Sequence, residues 1–338
     1  MQASTNSKIH SRGRVAANWR RLAATLAVGT SLVLIAGCTG SPTATKTVTL
    51  ATHDSFVMSK QLQKQFEHES GYHLRIAKLG DAGALTNQLV LTKDAPVADA
   101  YFGVDNTFIG TPGFEKAASS YQKIDHADVC VNYDRKWFEA HSVAAPSSYL
   151  DLIKPAYQNL TVTENVTSSS TGLAFFAMTV GDLGEAKAFE YWRALKANGL
   201  KIDSGWESAY YTDFSGSSGK GNYPIVISYS SSPADEVRAD GSSQTAALYD
   251  VCFRQSEYAG VLTNAKNRAG AWALIKFMRE AAFQADLPES MYVYPTRAGV
   301  ALPKTWATLT QLPNKVIETT VTREERTKWF SFWKQLVG

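Results

Sequence analysis

Apolar and polar positions along the chain alternate in two series. Val48 to Thr52 is a short β-branched run and reads as a strand. Ser59 to Glu69 reads as a helix carrying Leu62 and Phe66, closed by Gly71. His73 to Leu79 alternates as a strand, Ala84 to Thr92 is helical, and Ala98 to Val104 is again a strand. This βαβαβ order predicts a mostly parallel sheet with covering helices. A second series follows. Val129 to Tyr133, Leu160 to Thr163 and Ile225 to Tyr229 read as strands. Thr171 to Val180, Glu185 to Ala197, Ala271 to Glu280 and Thr322 to Val337 read as helices, and Ser215 to Gly221 as a loop. No internal repeat is present. Two α/β series suit a bilobed receptor that buries a ligand between lobes closing by hinge motion.

The first 37 residues break this pattern. Five cations (Lys8, Arg12, Arg14, Arg20, Arg21) and no acid precede an apolar run from Leu22 to Ala36, which is short for a membrane span. The run leads into Ile35-Ala36-Gly37-Cys38, similar to a bacterial lipobox in which the cysteine is lipidated and the leader removed. An uncleaved anchor is the alternative, and Arg20-Arg21 leaves the choice of export route open. Residues 39–46 are small and polar and read as a tether. The whole chain of 338 residues has a net charge of +3, with 34 Lys+Arg against 31 Asp+Glu. Without the leader, 301 residues remain, with 29 cations against 31 acids, a charge of −2. No long basic run follows Cys38, so nucleic acid is not an expected partner. With Cys38 lipidated, Cys130 and Cys252 remain. In an exported chain they are expected to pair, two buried free thiols being the alternative.

Candidate chemistry clusters after the strands, where open α/β sheets bind ligands. The first strand ends in His53-Asp54-Ser55; Asp54 and Ser55 could be ligand groups or caps of the next helix. Asp105 ends the third strand and could equally brace a loop. Ser168-Ser169-Ser170-Thr171-Gly172 lies between a strand and an apolar helix. There, free N–H groups, hydroxyls and a glycine could seat a phosphate, or simply cap the helix. It lacks the spacing of a nucleotide P-loop. Trp206, Tyr210, Tyr211, Tyr229, Tyr292 and Tyr294 lie near predicted loops, where aromatic faces could bind a flat or cationic ligand. No GxSxG or HExxH motif occurs, and the five histidines from His53 to His141 show no metal-ligand spacing. Neither an enzyme nor a resident metal or cofactor is expected.

Seven segments, in order, resemble the thiamine-binding receptors of ABC importers, which are type II periplasmic binding proteins. They are Thr52-His53-Asp54-Ser55-Phe56, Val104-Asp105-Asn106, Ile124-Asp125-His126-Ala127-Asp128, Ser168 to Leu173, Gly205 to Tyr210, Ser228 to Pro233 and Met291 to Pro295. The resemblance runs from about residue 47 to the C-terminus. It implies capture of thiamine or its mono- or diphosphate, handed to a permease and its ATPase by a monomeric receptor lipid-anchored through Cys38 outside the cytoplasmic membrane. It implies that Trp206, Tyr229 and Tyr292 line the ring site, with Asp54 and Ser55 facing them and Ser169, Ser170 and Gly172 on the phosphate side. His53, Asp105 and Tyr210 complete the candidate set. It also implies two lobes, 47–126 with 252–298 and 127–251 with 299–338, each a mostly parallel sheet with flanking helices. The chain would cross near 125–128 and 249–258, bringing Cys130 and Cys252 together on crossover strands. The chain departs from better-known members in having His53 for Tyr, Tyr292 for Trp, Thr171 for Pro and a longer 215–223 loop. A ferric-ion receptor of the same fold is the rival, because Tyr210-Tyr211 with His53 and Asp54 mimics an iron-ligand inventory. A lipoprotein hydrolase is the more distant one.

Overall fold

The computed structural model describes residues 46–217 and 220–338. The expected leader, Cys38 and nearly all of the tether lie outside the described residues.

Local signals place the helices. In α1 (Lys60–Ser70), the Ser59 hydroxyl accepts the Leu62 N–H, Leu62 and Phe66 face inward, and Gly71 ends the helix at φ +70°. The helix α2 (Ala82–Leu91) is capped by the Asp81 carboxylate. Next come α3 (Ser170–Leu183) and α4 (Glu185–Ala197), then α5 (Arg268–Met278) and α6 (Ala281–Ser290). The last, α7 (Arg323–Val337), starts in a reciprocal capping box between Thr322 and Glu325.

Eight strands form the sheet path. In chain order they are β1 (Thr47–Thr52), β2 (His73–Lys78), β3 (Ala100–Asp105), β4 (Gln122–Asp134), β5 (Thr161–Glu164), β6 (Lys201–Asp203), β7 (Ile225–Tyr229) and β8 (Val251–Val261). Across the sheet they run β2-β1-β3-β8-β4-β7-β5-β6. One wing, β2-β1-β3, is parallel, as is the other, β7-β5-β6. Between them lie the two longest strands, β4 and β8, paired antiparallel over most of their length. The α/β architecture, with parallel wings, flanking helices and two crossover strands, is the one the sequence predicts.

Cys130 on β4 and Cys252 on β8 are disulfide-bonded, with their Cα atoms 4.8 Å apart. Arg254 forks onto Asp128 across the same strand pair. The β4/β8 crossing is thus tied by ladder bonds, a covalent bridge and a bidentate ion pair. Val48, Leu50, Phe66, Leu274 and Phe277 form one apolar core on the first wing. The second core is larger. It joins α3, α4 and α7 through Phe175, Trp192, Trp329 and Trp333, and it continues beneath the first wing to Leu85, Leu89 and Tyr101. Through α2, the two wings therefore share buried surface.

Candidate functional site

The exits of β1 and β2 are tied together. Asp54 donates its main-chain N–H to the Gly80 carbonyl at 3.0 Å, and its Oδ1 accepts the Gly80 N–H at 3.1 Å. Ser59, not Asp54 or Ser55, caps α1, which settles the alternative left by spacing. Asp54 and Ser55 instead line a cavity of about 340 Å³ between the wings. Gly80, Asp81 and Ala84 complete its first side; Ser168 and Ser204 to Ser208 form the other. The wall holds three carboxylates (Asp54, Asp81, Glu207), several hydroxyls and the Trp206 indole. It contains no Lys, Arg or His.

Trp206 is held from several directions. Its main-chain N–H donates to Asp81 Oδ2 at 2.9 Å, and its indole N–H donates to the Ser228 hydroxyl at 3.0 Å. Tyr210 stacks on it at 4.9 Å with 15° between planes, while Tyr211 meets it edge-on. Tyr210 is buried, donates its hydroxyl to Glu236 at 3.1 Å and is absent from the cavity wall. It supports Trp206 rather than contacting the cavity. Tyr229 lies 5.9 Å from the Trp206 ring, and Tyr292, at φ +56°, receives the Ser231 hydroxyl on its carbonyl. Neither lines the cavity, so of the three aromatics expected there only Trp206 does.

His53 follows β1 and Asp105 ends β3; both are buried and neither lines the cavity. Gly103 has φ +95°, and a Cβ there would stand 2.0 Å from the His53 ring. His53 Nε2 is 3.2 Å from Glu257 Oε1. Burial opposes protonation of His53, yet Glu257, with Asp81 and Asp105 further off, raises its pKa overall. Glu257 on β8 is the register partner of both Asp105 on β3 and Asp125 on β4. Three buried carboxyl groups therefore stand in a row across three strands. Asp105 braces the following turn, its Oδ1 accepting the Thr107 N–H and hydroxyl, each at 2.6 Å, and the Phe108 N–H at 3.0 Å. Burial pushes Asp105 up to about 6. Burial, then the neighbouring Glu257, holds Asp125 well above the usual carboxylate range. Asp105 is thus a loop brace and His53 a buried partner of Glu257.

The serine-rich start of α3 lies mostly inside the protein. Ser169 and Ser170 are buried, and only Ser168 of this segment reaches the cavity. The Gly83 N–H of α2 donates to the Ser168 carbonyl at 2.9 Å, so the first turn of α2 abuts the start of α3. A Cβ on Gly172 would stand 2.5 Å from the Glu164 carbonyl oxygen. The missing side chain lets α3 pack closely on the end of β5. The Glu164 side chain is buried here. Burial raises its pKa well above the usual range, with Asp81 and Asp203 adding and the Thr171 hydroxyl opposing.

The iron-ligand inventory does not come together. Tyr210 is committed to Glu236 under Trp206, and His53 to Glu257. Among the described residues no group of three or more His, Cys, Asp or Glu could hold a metal ion. Asp81 and Glu257 are the groups that sequence reasoning passed over. Asp81 carried a readable signal, since Gly80-Asp81 between a strand and an apolar helix is a cap position. Glu257 carried none, because its neighbours are set by strand register.

The family profile described as "Bacterial extracellular solute-binding protein" matches residues 104–313. The "Thiamine-binding periplasmic protein" of Salmonella typhimurium is 26% identical over 329 residues, covering 91% of this chain and 98% of that one. A solved "Periplasmic thiamin binding protein" superposes with a TM-score of 0.73 at 22% identity, over 86% of this chain and 96% of its own. Iron-bound HitA from Pseudomonas aeruginosa shares the fold at a TM-score of 0.67 and 16% identity, over 86% and 99%.

Proposed function

The chain belongs to the bacterial extracellular solute-binding proteins, and from that premise we propose that it captures thiamine or its phosphate esters for import. Solute binding, not catalysis, is the work of this family. The observation that carries the ligand class is the cavity wall: one indole and three carboxylates, with no cationic side chain. Thiamine pairs a flat aminopyrimidine with a permanently cationic thiazolium. The indole face suits both rings, by stacking and by cation–π attraction. The carboxylates suit the charge, and the serine hydroxyls suit the ring nitrogens. The thiamine-binding relatives support the same reading.

The receptor works outside the cytoplasmic membrane, tethered by a lipid on Cys38, as a monomer. Its lobes, 47–126 with 252–298 and 127–251 with 299–338, close over the ligand by bending at β4 and β8. The closed form docks on a permease driven by its ATPase. Closure removes water from the cavity and strengthens each charge contact within it. Titration calorimetry of the purified protein against thiamine, its phosphates and Fe(III) tests this. Saturable heat with thiamine and none with Fe(III) is expected. Iron binding with a visible tyrosinate band, and no thiamine heat, would hand the assignment to the ferric rival.

A further inference from the structure

The outer face of α5 is basic, in a chain that without its leader carries a net charge of −2. Arg268, Trp272, Lys276 and, at the C-cap, Arg279 recur at three- and four-residue steps and are all exposed. Ala271, Leu274 and Phe277 turn the other way, into the first core. No acid lies between Arg268 and Arg279. Trp272 is 44% exposed, whereas every other tryptophan among the described residues is buried or half-buried. It opens onto a hollow of about 710 Å³ shared with Ile275, Lys276, Arg279 and Arg297, where Glu280 is the one acid in the wall. Arg297 is fixed there by donating to the Arg279 carbonyl at 3.2 Å. Among the described residues, none of Arg268, Lys276, Arg279 and Arg297 is ion-paired, whereas Lys201, Arg254, Lys315 and Lys328 each meet a carboxylate.

The start of β1 lies against this helix. Asn267, which caps α5 by accepting the Gly270 N–H at 2.9 Å, donates its side-chain amide to the Thr47 carbonyl at 2.9 Å. Thr47 opens β1, so the chain enters the fold beside the head of α5. The stretch from Cys38 to Thr47 can span at most about 30 Å, and α5 itself is about 16 Å long. A lipid on Cys38 therefore keeps the whole basic face within reach of a membrane surface, at high effective concentration. The cavity lies beyond the other end of β1 and shares no wall residue with this face.

We propose that the outer face of α5 is a lipid-docking surface, with Trp272 entering the interface and Arg268, Lys276, Arg279 and Arg297 meeting anionic phospholipid headgroups. This rests on the lipid anchor at Cys38 proposed above. The lipid holds the receptor at the membrane, and the basic face sets which side of it lies down. An indole flanked by cations suits the headgroup level, where its apolar body and its N–H are both accommodated.

Tryptophan fluorescence of the lipidated protein, reconstituted in vesicles with brominated acyl chains, tests this, because Trp272 is the exposed reporter. Quenching is expected in vesicles containing phosphatidylglycerol, and at least about twofold less in phosphatidylcholine alone. Trp272→Phe should remove the quenched component. Lys276→Glu with Arg279→Glu should lower quenching to the phosphatidylcholine level, as should raised salt. All three positions are exposed, and an unchanged melting temperature shows that the variants fold. Equal quenching in the two vesicle types, or quenching unmoved by charge reversal, would overturn the proposal. Saturable binding of polyglutamate without phosphatidylglycerol-dependent quenching would also overturn it and assign the face to an acidic protein segment. Intact mass reads the lipid on Cys38 separately. Lipid present without quenching removes the docking face and leaves the anchor in place; lipid absent removes the anchor, and this proposal with it.

Discussion

At the crossing of β3, β8 and β4, Asp105, Glu257 and Asp125 are buried side by side. At the cleft, Asp54 and Asp81 are half-buried on main-chain N–H groups, and Glu207 is exposed. Both regions are acidic, but depth gives the same side chain different work. A carboxylate on a strand-exit turn finds N–H donors and solvent and can meet a cation. In the sheet interior the charged form is costly, so protons and His53 are drawn in to neutralise the row. The crossing should therefore govern stability and the cleft should govern binding. Substitutions that cross over would break this division.

The largest effect is expected from opening the disulfide. It closes a 122-residue separation, and Cys130→Ser with Cys252→Ser should lose about 2–5 kcal/mol of stability. Urea denaturation measures this, and an unchanged midpoint would remove the bridge from the stability of the crossing. Gly103→Ala comes next. It forces an L side chain to a positive φ and drives a methyl into His53, for a loss of about 2–4 kcal/mol. Thiamine affinity should change little in whatever fraction stays folded.

On the cleft side, Trp206→Ala should weaken thiamine binding by about 1–3 kcal/mol. The melting temperature should move far less than the affinity. Unchanged calorimetric affinity would take Trp206 out of the site. The smallest effect is one of slope. Asp105 and Asp125 have raised folded pKa values, and so does His53. Raised values contribute stability that is full below the unfolded pKa and lost as pH rises through the folded one. Stability from the crossing should therefore fall as pH climbs through about 6, where Asp105 titrates. Asp125→Asn cannot ionise, so its melting temperature should decline less steeply between acid and neutral pH. A wild-type profile that rises over that range, or a variant with an identical slope, would count against the protonated row.

Helix starts and stops were the most legible features. Ser59, Gly71 and Thr322 act through neighbours in sequence, and each bounds a helix where the pattern puts it. The polar front of β4 was not legible as strand, since Gln122 to Asp128 mixes charges that only a crossing strand would bury. The helix α6 was hidden by Pro288, which lies inside its last turn. At the site, Asp54 and Ser55 could be picked out because they follow a predicted strand, and Trp206 because it is an aromatic near a predicted loop. Tyr210 could not be told from a wall residue. Its role depends on Trp206 stacking over it, and aromatic spacing carries no depth.

The sequence by itself determined the α/β series, the strand exits that bear the chemistry, and the residues that cap helices. Those depend on periodicity and on contacts a few positions apart. Only the tertiary structure decided which polar groups share a space. Register alone aligned Asp105, Glu257 and Asp125, which lie up to 152 positions apart. The packing of α2 against α3 alone set the Gly83 N–H on the Ser168 carbonyl, and the approach of the two wings set Asp81 against Trp206. Long-range pairing follows from sheet geometry and from the close approach that Gly83 and Gly205 permit, neither of which has a local signature in the chain.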